Sequence, residues 1–106
     1  MITTAEIKHK LGKYMSVSIR GAVLQSFEVT KDRPDVATIR VTYYHLKAKT
    51  TLNQMFMMHV EMLVDFGTVG TLDSLLKIRG RQIMYEMRKA AAIETAKCKN
   101  GPLTRS

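Results

Sequence analysis

The stretch QMFMMHVEMLVDF at positions 54–66 decides how this chain folds. Phe56, Met58, Val60, Met62, Val64 and Phe66 occupy every second position, with His59, Glu61 and Asp65 between them. A pleated strand sends alternate side chains to opposite faces, so this pattern lines one face with apolar groups. Helical spacing would scatter the same side chains around a cylinder, although Met and Leu favour helices and no β-branched run is present. Alternation therefore predicts a strand. Fully extended, the segment would run roughly 40 Å, longer than common strands and suited to assembly.

Moving toward the N-terminus, Lys47 to Asn53 is polar, and from Val36 to Lys47 the residues Ala37, Ile39, Val41 and Tyr43 alternate with Thr38, Arg40 and Thr42. That is a second strand, rich in β-branched and aromatic types. The polar run Lys31 to Asp35 holds Pro34, which fixes its own φ and removes a donor, so it reads as a turn. From Ser16 to Thr30, Val17, Ile19, Val23, Phe27 and Val29 alternate with Ser16, Ser18, Arg20, Ser26 and Glu28. This predicts another strand, with a bulge or sharp bend at Gly21.

Helices are expected at both ends. Thr3 and Glu6 form a capping-box pair, and Ile7, Leu11 and Tyr14 follow at helical spacing, with Lys8, His9, Lys10 and Lys13 beside them and Gly12 shortening the helix. After the break at 67–70, Thr71 is the expected N-cap of a long helix with Asp73 in its first turn. Leu72, Leu75, Leu76, Ile83, Met87, Ala90 and Ile93 make its apolar side, and Lys77, Arg81 and Arg88 lie opposite. Gly80 inside it calls for close packing or a kink. The expected architecture is α+β in the order α-β-β-β-α: a three-stranded antiparallel meander covered on one face by a short N-terminal and a long C-terminal helix. A single domain spans 1–97, with a tail over 98–106.

The chain has 106 residues, 17 Lys+Arg against 9 Asp+Glu, and a formal net charge of +8. Such a balance favours phosphate, acidic protein or another anionic surface, and it also serves solubility. Cys98 stands alone, so no internal disulfide forms, and a cytoplasmic location is expected. The N-terminus has no signal-peptide core and the most apolar stretch is too short and too charged to span a membrane.

No paired carboxylates, nucleophilic triad or metal-ligand spacing appears, so a non-enzymatic protein with no cofactor and no metal is expected. His59 and Glu61 share a strand face without further ligands. The Gly67 to Thr71 segment lacks the spacing and lysine of a phosphate-binding loop. Two binding roles remain. In the first, Lys77, Arg81 and Arg88, extended by Lys97 and Lys99, contact nucleic-acid phosphates without sequence specificity. In the second, the uncovered sheet face joins subunits of a homo-oligomer or adaptor through Leu24, Tyr44, Met55, Met57 and Leu63. That face also carries Arg40, and Tyr44 beside it is thin support for base stacking. The element order is shared with double-stranded RNA binders and ring-forming virion assembly proteins. Where those RNA binders have a basic, alanine-rich helix start, this chain has Leu72, Asp73, Ser74 and Leu75.

Overall fold

The computed structural model describes residues 3–59 and 69–100. Its elements are α1 (Thr4–Gly12), β1 (Ser18–Ile19), β2 (Ala22–Arg33), β3 (Val36–His45), β4 (Thr50–His59) and α2 (Val69–Asn100). The strands form one antiparallel sheet in the order β1-β2-β3-β4. The class is α+β as expected, with four strands rather than three.

The extra strand comes from Arg20 and Gly21, at φ 28° and 80°. Positive φ at both central residues gives a hairpin turn whose twist matches its flanking strands. Ile19 consequently pairs with Ala22, and the expected first strand becomes β1 and the start of β2. A second departure lies at Gln25: Leu24 pairs with Tyr43 and Ser26 with Thr42, leaving Gln25 as an extra residue in β2. Before this bulge Ala22 and Leu24 face the core, and after it Phe27 and Val29 do. Val23 therefore lies outside the core that strict alternation assigned it, and Val17, just before β1, is 72% exposed as well.

β3 alternates as expected, with Ala37, Ile39, Val41, Tyr43 and His45 buried. β4 begins at Thr50, four residues earlier than expected, because Leu52 is the one apolar group in an otherwise polar start. Its parity is the predicted one. Met58 is buried and Phe56 packs against the core, whereas Met55, Met57 and His59 are exposed. The expected continuation through 60–66 lies outside the described residues.

The capping box of α1 is present: Glu6 N–H donates to Thr3 Oγ1 at 3.1 Å, and Thr3 N–H to Glu6 Oε1 at 3.4 Å. α1 ends at Gly12 and buries Ile7 and Leu11. α2 is already helical at Val69, before the expected cap Thr71, and continues to Asn100, past the expected end at Lys97. It buries Leu76, Ile83, Met84, Met87 and Ala91. Ile93 is 50% exposed, because it lies two residues beyond Ala91, about 200° around the helix. Gly80 is buried against α1, where a Cβ would stand 2.7 Å from Tyr14 Cβ, so the glycine serves close packing.

Two buried polar groups, Tyr43 and His45, tie the sheet to the rest. Tyr43 Oη donates to the Ser16 carbonyl at 2.8 Å and lies 3.5 Å from Met84 Sδ. The buried His45 accepts from the Ala48 N–H at Nδ1, 3.0 Å away. Its Nε2 lies 3.1 Å from Thr95 Oγ1 and 3.3 Å from the Ala91 carbonyl. With Nδ1 accepting and a carbonyl facing Nε2, the hydrogen belongs on Nε2. One ring thus joins the end of β3, the 46–49 turn and α2.

Candidate nucleic-acid interface

Half of the net charge resides on one helix. α2 holds seven Lys or Arg and three Asp or Glu, a net of +4 out of +8. Lys77, Arg81 and Arg88 fall within about 40° of each other around the helix and are spread over roughly 16 Å of its axis. All of them are exposed, as is Lys89. Among the described residues the ion pairs are Lys8 with Glu28, Lys10 with Asp73, Arg33 with Asp35 and Lys97 with Glu94. The Lys77, Arg81, Arg88 and Lys89 side chains take part in none of them.

The remaining cations are dispersed. Lys97 lies about 200° around the helix from Lys77 and is held 3.5 Å from Glu94, so it does not join the stripe. The Lys99 side chain lies outside the described residues. Lys8 and Lys10 are partly neutralised by their carboxylate partners on β2 and α2. Lys47 and Lys49 sit in the turn after β3, the latter with φ 53°.

The sequence reading missed Tyr85. It is 63% exposed and lies one helical turn from both Arg81 and Arg88. Its signal was present in the spacing, but tyrosine at that position reads equally as part of an amphipathic boundary. Beside it, Ile78, Gln82, Glu86 and Phe56 of β4 border a groove of about 750 Å³, together with Arg79 and Arg81. Arg79 Nη1 donates to Gln82 Oε1 at 2.8 Å, which holds that guanidinium along the helix surface. Beneath the stripe, burial pushes the Tyr43 phenol above its ordinary range, and the Arg88 guanidinium partly offsets this by favouring the phenolate.

The open sheet face differs from the expected interface. Leu24 packs against the core, because the Gln25 bulge places it on the helix side. Tyr44 is half-buried on the open face between Val23 and Thr51 in register. Met55 and Met57 are exposed there, and Leu63 lies outside the described residues. The Thr42–Asn53 pair lies between Tyr44 and Met55, so the apolar groups are not contiguous. Met55 and Met57 instead border a concavity of about 570 Å³ with Glu28, Thr30, Thr38 and Arg40. Arg40 Nη2 lies 3.4 Å from Met55 Sδ.

His59, read as sharing a strand face with Glu61, is exposed on β4, and Glu61 lies outside the described residues. Among the described residues no group of three or more His, Cys, Asp or Glu is placed to hold a metal ion. No helix among them is long and apolar enough to cross a membrane. The chain matches no protein-family model, no characterised protein and no solved structure.

Proposed function

We propose that this protein is a non-enzymatic module that binds nucleic acid through its backbone phosphates, along the exposed flank of α2. The carrying observation is the stripe of Lys77, Arg81 and Arg88, exposed and outside every ion pair among the described residues. Cations without carboxylate partners are available to displace condensed counterions from a phosphate chain, which is the main source of sequence-independent affinity. Tyr85 adds an accessible aromatic face between Arg81 and Arg88, where a base from a single strand can stack.

Titration with duplex and single-stranded oligonucleotides over a range of salt concentrations tests the proposal. Affinity is expected to fall steeply with salt and to drop when Arg81→Glu and Arg88→Glu are combined. Absence of binding at low salt, or binding with no salt slope, would overturn it.

A further inference from the structure

The two edges of the sheet are protected unequally. Beyond the short β1, β2 carries register shifts between Leu24 and Ser26 and between Thr30 and Arg33, along with Glu28, Lys31 and Arg33. Bulges and charges of this kind discourage pairing with another strand. β4, the opposite edge, is ten residues long with no Lys, Arg, Asp, Glu, Pro or Gly. Its pairing with β3 runs without a shift from Val36↔His59 to His45↔Thr50. A long, regular, uncharged edge is a template for strand addition.

An independent observation lies at the centre of that edge. Gln54 Oε1 is buried and has no hydrogen-bond partner among the described residues. A buried acceptor left unpaired is costly and rare in native proteins.

We propose that a second copy of this chain covers the edge, its β4 running antiparallel to the first about a two-fold axis at Gln54. Gln54 then lies opposite Gln54 of the partner subunit, and Leu52 opposite Phe56 of the partner subunit. A carboxamide has both donor and acceptor, so with both side chains turned toward the seam each Gln54 amide supplies the N–H that the other lacks. Residues of like parity meet across the seam, which extends the apolar inner face into a continuous eight-stranded sheet.

Charge at the seam does not oppose a second copy. The net +8 of each chain opposes association generally, yet β4 contributes none of the Lys or Arg residues to the seam. The adjoining groove between Phe56 and α2 holds Arg79 and Arg81 together with Glu86. Both signs are present on one surface, as self-complementarity about a two-fold axis requires.

Sedimentation of the full chain, free of nucleic acid, is expected to give twice the 12.0 kDa monomer mass. In a Cys98→Ser background, Gln54→Cys is expected to form an interchain disulfide on mild oxidation. Thr50→Cys is not, since the two copies of residue 50 would stand roughly 26 Å apart. Amide exchange of the unsubstituted chain provides a reading without any variant: β4 amides should gain protection as concentration rises. A monomer at high concentration, cross-linking at 50 equal to that at 54, or β4 exchange independent of concentration would each overturn the proposal. Tight heterologous pairing of β4 with an unrelated peptide in place of a dimer would do so as well.

Discussion

Gly80 of α2 and Tyr14, just after α1, approach so closely that a Cβ on the glycine would stand 2.7 Å from Tyr14 Cβ. Tyr14 Cβ is fixed to its own backbone and cannot swing aside, so an added methyl has to push the two elements apart. Gly80→Ala should gain about 1 kcal/mol of helix propensity and lose about 1–3 kcal/mol to overpacking. The expected outcome is net destabilisation, read as a lower midpoint in denaturant unfolding; an unchanged or higher midpoint would show that α1 and α2 separate at no cost.

Gly12 gives the opposite result. A Cβ there meets nothing closer than Phe27 Cε2 at 3.9 Å, an ordinary contact, and the residue lies within helix α1. Gly12→Ala should stabilise the protein by about 0.5–1 kcal/mol, mainly by restricting the unfolded chain. A rise in melting temperature checks this.

The Arg20–Gly21 turn supplies a third test. Gly21 has φ 80° with open space around it, so the cost of Gly21→Ala is conformational rather than steric crowding. A loss of about 1 kcal/mol is expected, whereas Arg20→Asn, a residue better suited to positive φ, should be neutral or stabilising.

Tyr43 couples stability to alkaline pH. Its phenol is raised by burial, so the folded protein holds its proton to a higher pH than the unfolded chain, whose tyrosine titrates near 10. Between that value and the folded one, the unfolded state carries fewer protons, and stability falls as pH rises. Tyr43→Phe should flatten this decline while losing about 1 kcal/mol at neutral pH with the bond to the Ser16 carbonyl. Urea unfolding between pH 8 and 11 measures both effects.

Phosphate binding should discriminate between two basic places on α2. Arg88→Ala is expected to reduce the slope of log affinity against log salt by about 1, evenly across sequences. Lys97→Ala, on the other side of the helix and already facing Glu94, should change it little. Equal effects from both would mean that the whole helix, rather than one flank, meets the ligand.

What could be read from the sequence was whatever repeats with one period. β3 and the described part of β4 kept the faces that alternation assigned them, and Thr3 with Glu6 capped α1 as expected. The failures arose where the period breaks. A hairpin needs positive φ at Arg20, which an arginine does not advertise, and the Gln25 bulge exchanges the two faces without any Gly or Pro to mark it. Leu24 was misplaced for that reason, and Ile93 because Ala91, a smaller group, continues the buried stripe of α2. The candidate cations were legible as a helical stripe, but the neutralisation of Lys97 by Glu94 and the exposure of Tyr85 depend on rotamers and packing.

The unpaired residue at position 25 also governs which changes of chain length this protein can absorb. Were it paired rather than set aside, the two arms of the second strand would share one phase, and keeping Phe27 and Val29 inside would turn Ala22 and Leu24 out to water. Shortening the chain by that one residue leaves Leu24 and Ser26 opposite Tyr43 and Thr42 in unbroken register, so this strand should absorb the loss there better than the loss of a paired residue away from the bulge.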